Sequence, residues 1–323
     1  MKTLKKILKW TSITLILLVI IITIAVASRQ NLKFDAPYPD IKASKDSAII
    51  ARGKDFVNGP AHCAYCHTKL DKLTQVEKGE ILPLSGGHEF QLPIGNLYSR
   101  NLTSDKETGI GGLTDREIAR SLRYGVGYDG RALFNLMPFN NLSDEDLTAV
   151  ISYLRTLEPV KNEVPKNTFN VMGKIVKAFM LKPVGPDGEV AKTVPHGPTV
   201  EYGKYLVMNV ANCRGCHTAR DLKTGEYTGP FYGGGFKLPS EIDPTTILCT
   251  PNITCDPKTG VLATWTLEHF IERFHQGRQI KESIMPWGPF SHMSDDDLTA
   301  IYKFLRTVPP VTNDPGPRLS KAS

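Results

Sequence analysis

One pattern of residues occurs twice in this chain, and it sets what the chain can fold into. Gly53-Lys54 precedes Cys63 by the same distance as Gly203-Lys204 precedes Cys213. Further on, Asn101-Leu102-Thr103 is matched by Asn252-Ile253-Thr254, and Met137-Pro138 by Met285-Pro286. Asp146-Leu147-Thr148-Ala149 returns as Asp297-Leu298-Thr299-Ala300, and Leu154-Arg155-Thr156 as Leu305-Arg306-Thr307. Order and spacing agree over roughly 100 residues per copy, which predicts two tandem domains from one duplication. The domains are expected at 50–157 and 201–311, joined by 158–200 and followed by a tail, 312–323.

Local signals within each copy are helical. Ser143 precedes Asp144, Glu145 and Asp146, and Leu147, Val150, Ile151 and Leu154 then recur at helical spacing; Ser294 does the same before Leu298, Ile301 and Leu305. A serine N-cap with acids in the first turn satisfies free N–H groups and suits the positive helix end. Thr114 with Glu117 predicts a capping box for a helix through Ile118 and Leu122, with a counterpart starting near Thr266. No run of strands is evident, so the expected class is all-α. Six prolines in 158–200 predict an extended joining segment. A short helix around Val171 to Leu181 is expected to interrupt it, either packing against both domains or bringing Met172 or Met180 to the chemistry. A few helices with long Gly- and Pro-rich loops need a large apolar cofactor to complete each core.

The chemistry sits in Cys63-Ala64-Tyr65-Cys66-His67 and Cys213-Arg214-Gly215-Cys216-His217. Both are Cys-x-x-Cys-His, the c-type haem attachment pattern. Two cysteines three apart can form thioethers to the vinyl groups of one porphyrin, and the next histidine can reach the iron. Two covalent haem c groups are therefore expected, on Cys63 and Cys66 and on Cys213 and Cys216. A redox disulfide pair, or one Cys₄ zinc site shared by the copies, is the competing reading. Met137 and Met285 are the expected second axial ligands to His67 and His217, because a thioether stabilises reduced iron. The rivals are His88 for the first haem, and Met208, His269, His275, His292 or Met293 for the second. His292 and Met293 stand out because they follow Met285 in a three-residue insertion that the first copy lacks. His62 and His196 are expected at the surface.

Two cysteines remain. Cys249 and Cys255 have counterparts Tyr98 and Ser104 in the first copy; a disulfide between them is expected in an oxidising compartment, with a free thiol pair as the alternative. Asn101 and Asn252 match a glycosylation pattern formally, but their repetition predicts a loop under the haem, bonding to backbone or to a propionate. Arg100, Arg120, Arg131 and Arg278 are candidates to neutralise propionates.

The N-terminus sets the compartment. Residues 1–9 hold Lys2, Lys5, Lys6 and Lys9, and Trp10 to Ala27 form an almost uncharged apolar run. Its eighteen residues suit a transmembrane helix, which needs roughly 17–25. The lysines place that end in the cytoplasm and the rest, starting with a linker at 28–49, outside a bacterial inner membrane, in the periplasm. A signal peptide cleaved after Ala25-Val26-Ala27 is the competing reading. The formal charge of +6 lies partly in this segment. No basic run lies elsewhere, which argues against nucleic acid as a partner. No nucleotide- or flavin-binding pattern occurs, so any substrate oxidation belongs to a partner chain.

The run from Gly86 to Thr156 resembles the cytochrome c subunits of membrane-bound alcohol, gluconate and related sugar dehydrogenases. It holds Gly86-Gly87, Leu92-Pro93-Ile94-Gly95, Tyr98, Asn101-Leu102-Thr103, Thr108-Gly109-Ile110-Gly111, Asp129-Gly130, Met137-Pro138, Asp146-Leu147 and Tyr153-Leu154-Arg155-Thr156. The second copy repeats it more loosely. Those subunits typically carry three haem modules; this chain has two. The resemblance implies two class I-type cytochrome c domains, with His67/Met137 and His217/Met285 as axial pairs. It implies an electron carrier rather than an enzyme. The donor would be a dehydrogenase subunit or quinol-oxidising complex, the acceptor a terminal oxidase or soluble cytochrome. The alternatives are a di-haem enzyme acting on a small molecule such as thiosulfate or peroxide, and a haem-bearing assembly subunit.

Overall fold

The computed structural model describes residues 2–221, 225–240, 243 and 245–321. Helix α1 (Lys2–Arg29) buries none of its residues and meets the rest of the protein at α7 (Val171–Phe179). It is the one helix among the described residues long and apolar enough to cross a membrane, with a mean hydropathy of 2.6.

The first repeat contains α2 (Ser47–Asn58), α3 (Cys63–His67), α4 (Leu73–Glu77), strands β1 (Glu89–Leu92) and β2 (Gly95–Tyr98), α5 (Asp115–Tyr124) and α6 (Asp144–Thr156). The joining segment supplies β3 (Thr168–Phe169) and α7 (Val171–Phe179). The second repeat contains α8 (Val200–Tyr205), which runs on into a π-helical turn, α9 (Cys213–Cys216), β4 (Lys237–Pro239) and β5 (Thr246–Cys249). It continues with α10 (Leu267–His275), α11 (Trp287–Phe290), α12 (Asp295–Thr307) and the tail strand β6 (Leu319–Lys321).

The helix starts form as the caps dictate. Thr114 and Glu117 make both halves of a capping box, and Ser143, Thr266 and Ser294 each accept an N–H in the first turn of their helices. In each repeat the first and last helices cross closely. A Cβ on Gly53 would lie 1.9 Å from the Ala149 carbonyl oxygen, and one on Gly203 would lie 1.9 Å from that of Ala300. The repeated glycines therefore let α2 touch α6, and α8 touch α12, backbone to backbone.

The protein is mostly helical but not all-α. Two antiparallel three-stranded sheets, β1-β2-β3 and β4-β5-β6, are present. Strands of two to four residues are too short to show alternation in sequence. Each sheet also takes its third strand from outside its own repeat's motifs. β3 comes from the joining segment, pairing Gly95 with Phe169, and β6 from the tail, pairing Thr246 with Lys321.

The joining segment is likewise built onto the first repeat. Asn170 caps α7 and donates from Nδ2 to the Pro93 carbonyl at 2.8 Å. A Cβ on Gly173 would lie 2.1 Å from the Ile94 carbonyl oxygen, so α7 is seated tightly on the β1–β2 connection. Its neighbours are α1 and β3, rather than both repeats, and much of its apolar face is exposed. Beyond α7 the chain wraps the first repeat, with the Asp144 and Glu145 N–H groups donating to the Ala191 and Lys192 carbonyls at 3.1 and 3.0 Å.

One buried cluster runs through both repeats, including Phe56, Leu147 and Ile151 of the first and Leu206, Leu298 and Ile301 of the second. Polar contacts reinforce the junction. Tyr205 donates to buried Asp146 at 2.6 Å. Arg278 forms a two-pronged ion pair with Glu77, Nε to Oε2 and Nη2 to Oε1, each 2.9 Å.

Candidate haem sites

Both Cys-x-x-Cys-His motifs sit on a short helical turn entered through a left-handed residue, His62 at φ 41° and Asn212 at φ 53°. The loop after each motif is anchored by a glycine. The Gly86 N–H donates to the His67 carbonyl at 2.8 Å, and Gly234 N–H to that of His217 at 2.9 Å. Both glycines have positive φ, and a Cβ on either would lie about 2.5 Å or less from backbone of the segment that follows β2 or β5. Only glycine fits there.

Those segments orient the histidines. His67 Nδ1 donates to the Arg100 carbonyl at 2.8 Å, and His217 Nδ1 to the Pro251 carbonyl at 3.0 Å. A carbonyl only accepts, so the proton is fixed on Nδ1 and the Nε2 lone pair is left for a metal. Burial lowers the pKa of both rings, partly offset by these carbonyls, so both are neutral. Burial pushes the Cys63 and Cys213 thiols up to about 12 and raises Cys216 as well. Each motif thus presents neutral donors in a poorly solvated setting.

Directly after the anchoring carbonyls come the repeated asparagines. Asn101 is fully buried; its Oδ1 accepts from the Thr103 N–H and hydroxyl, and its Nδ2 donates to the Val160 carbonyl at 2.8 Å. Asn252 does the same with Thr254 and the Val311 carbonyl, at 2.7 Å to the latter. These are structural asparagines that strap down the chain leaving each closing helix, and they are not open to glycosylation in the fold.

The two methionines occupy corresponding loops. Met137 and Met285 are half-buried and pack on the apolar core, as do Cys63 and Cys213. Met137 lines a small cavity with Leu122, Leu133 and Phe134. The Met285 loop is pinned by the Trp287 N–H, which donates to the Met285 carbonyl at 2.7 Å, and by Trp287 Nε1 on the Ser283 hydroxyl at 3.1 Å.

Several of the rivals are engaged in other contacts. His292 Nε2 donates to the Gly79 carbonyl of the first repeat at 2.7 Å. Met293 is buried, 3.7 Å from where a Gly59 Cβ would stand. His275 bonds the Ser291 carbonyl and Asp295, His269 sits edge-on to Trp265, and His88 is buried against Phe90. Met208 lines an open cleft of about 410 Å³ with Arg214, Phe231 and Phe304. The three-residue insertion therefore serves contact between the repeats. His62, expected at the surface, is half-buried edge-on to Phe290 at the same contact.

Among the arginines, Arg278 is paired with Glu77, Arg120 with the Tyr38 hydroxyl and the Phe34 carbonyl, and Arg131 with Asp129. Arg100 lies over the Tyr128 ring at 4.6 Å, and its buried Nε has no partner among the described residues. The expected Cys249–Cys255 disulfide is not formed. Both thiols are free, and Cys249, buried in β5, donates to the Pro315 carbonyl at 3.2 Å. Among the described residues no three His, Cys, Asp or Glu side chains converge as a metal-binding group, so the four motif cysteines do not make one tetrahedral site. The Glu77–Arg278 pair left no local signal, because its partners lie 201 positions apart.

The residues fit haem c: paired thiols on one turn, an imidazole with Nε2 available, and beside it a buried guanidinium nitrogen lacking an acceptor, which a propionate would supply. The comparisons agree. No protein-family model matches the chain, but the sequence is similar to c-type cytochromes over most of its length. Its relatives include the cytochrome c subunit of a quinone-dependent alcohol dehydrogenase from Gluconobacter oxydans, 30% identical over 82% of this chain and 56% of that one. The fructose dehydrogenase cytochrome subunit of Gluconobacter japonicus is 28% identical over 84% of this chain and 55% of its own. A diheme cytochrome c-type protein of Cereibacter sphaeroides is 26% identical over 77% of this chain and 82% of its own. The resemblance carried by Gly86 to Thr156 thus extends across both repeats. The chain spans about half the length of the two dehydrogenase subunits.

Proposed function

We propose that this chain is a di-haem electron carrier, anchored by α1 in a bacterial inner membrane with both repeats in the periplasm. In this reading the repeats are two tandem class I-type cytochrome c domains. Cys63 and Cys66 hold one haem and Cys213 and Cys216 the other. Haem iron supplies one-electron chemistry when bound. The protein's part is to fix His67 and His217 in the Nδ1–H tautomer, through the Arg100 and Pro251 carbonyls, so that Nε2 faces the metal. Met137 and Met285 would supply soft second ligands, which would favour the reduced state and leave no open position for small molecules. Arg100 offsets a propionate. A dehydrogenase subunit or quinol-oxidising complex donates electrons, and an oxidase or soluble cytochrome accepts them.

The observation that carries this reading is the duplicated geometry of motif turn, glycine and histidine-to-carbonyl bond, with a core-packed methionine in each repeat. The test is a spectrally monitored redox titration of the haem-loaded full chain, with its intact mass. Two covalent haems, two high-potential waves and the weak near-infrared band of Met-ligated ferric haem are expected. Met137→Ala and Met285→Ala should each remove the band from one haem and drop one wave. A ligand-exchangeable haem in the unsubstituted chain would refute the carrier reading and favour an enzyme.

A further inference from the structure

We infer that α7 is a second membrane contact: an amphipathic helix lying in the headgroup region beside α1, which holds the first repeat at a fixed orientation to the bilayer. The inference rests on the reading of α1 as an anchor.

Four large apolar residues of this short segment face solvent: Val171 75%, Met172 58%, Phe179 48% and Met180 61% exposed. Val171, Met172, Ile175, Val176 and Phe179 recur at helical spacing and define one face, while Lys174 and Lys177 lie on the other. Nothing within the repeats requires these residues to be apolar, and a patch of this kind on a soluble surface marks a contact. What covers it follows from its neighbour. α7 packs against α1. The contact lies at the far end of α1 from its lysines, where Arg29 Nε donates to the Ala178 carbonyl at 3.2 Å and its guanidinium stands 5.5 Å from the Phe179 ring. The apolar face therefore continues the surface of a membrane-spanning helix at the level where that helix leaves the bilayer. Lys166, Lys174, Lys177 and Lys182 flank it, the pattern that suits anionic headgroups around a buried apolar face.

The contact would be rigid. β3 and the close seat of Gly173 on Ile94 bind α7 to the first repeat. Phe169, immediately before α7, stacks on Phe134, three residues from Met137, with ring centroids 6.0 Å apart. The Met137 side of the first repeat is thus held close to the bilayer.

The test is photolabelling of the haem-loaded full chain in nanodiscs of phosphatidylethanolamine and phosphatidylglycerol. The discs contain a phospholipid with a diazirine near the headgroup end of its acyl chain, and labelled residues are mapped by mass spectrometry. Label is expected in α1 and in 171–180, and not at Tyr227 and Phe231, which are similarly exposed on the second repeat. Val171→Glu with Met172→Glu, both at exposed positions, should reduce the α7 label several-fold while leaving the α1 label and the haem spectrum unchanged. Label in α1 but not in α7 overturns the inference and leaves that face to a protein partner. Failure of the anchor reading reads differently: the intact mass shows a chain lacking α1. In that case label in α7 upholds the membrane contact, and its absence overturns that as well.

Discussion

Arg278→Met should be among the most damaging single substitutions in this protein that touch no haem ligand. The Glu77 carboxylate is only 7% exposed and the Arg278 side chain 14%. The guanidinium donates one hydrogen bond of 2.9 Å from Nε to Oε2, which also accepts from the Gly288 N–H at 3.3 Å, and its Nη2 stands 2.9 Å from Oε1 as an ion pair. Removing the arginine leaves a desolvated negative charge with one weak donor. Breaking such a buried pair costs about 3–5 kcal/mol, against about 0–1 for an exposed one. Partial access of Arg278 to water puts the expectation near 3 kcal/mol, about a hundred-fold in the folded population. Glu77→Gln should cost less, because an amide oxygen still accepts the Nε–H bond. Adding Glu77→Gln to Arg278→Met should restore stability, since the stranded charge is gone. The assay is urea unfolding of the haem-loaded protein, read as a double-mutant cycle. A cost below about 1 kcal/mol for Arg278→Met, or a double variant less stable than Arg278→Met alone, would refute the reasoning.

Two further outcomes follow from the repeated loops and the one well-placed surface histidine. Asn101→Ala and Asn252→Ala each leave buried partners unsatisfied, at about 1–3 kcal/mol per group, so each should lower the thermal midpoint of the haem-loaded protein markedly. Two near-neutral substitutions would show that the straps carry no load. His275 is held above its ordinary value by its bond to the Asp295 carboxylate, helped by the Ser291 carbonyl. A raised folded-state pKa means the pair's contribution is full below the unfolded value of 6.5 and fades as pH rises through the folded one. An NMR titration should place the His275 midpoint above 6.5, and Asp295→Asn should bring it down; an unchanged midpoint would rule out the pairing.

Much of the fold was readable because its signals are local. Caps at Thr114, Ser143 and Ser294 lie within three residues of what they bond, and each Cys-x-x-Cys-His is contiguous. The repeat placed Gly53 and Gly203 in correspondence, but why glycine is needed there is a fact about a helix roughly 100 residues away. The strands were hidden for the same reason, since β3 and β6 find their partners across long intervals and last two or three residues. Arg278 illustrates a different limit. As an arginine seven residues before Met285 it qualified as a propionate partner, and only the fold shows that Glu77, 201 positions away, has taken it. The insertion after Met285 was visible as a length difference, but its role as a contact surface was not. The outward face of α7 ran against the ordinary expectation that an apolar stripe faces a core.

The contact between the repeats joins unlike faces. The first repeat offers Gly59, His62, Glu77 and Gly79; the second offers Arg278, Gly288, Phe290, His292 and Met293. Such a head-to-tail joint has polarity and does not close on itself, unlike one that pairs identical patches. The insertion that makes it is missing from the first repeat, and the residues corresponding to Gly59 and His62 in the second are Asn209 and Asn212. The arrangement is therefore directional: one repeat is a socket, the other a plug, and neither could take the other's place.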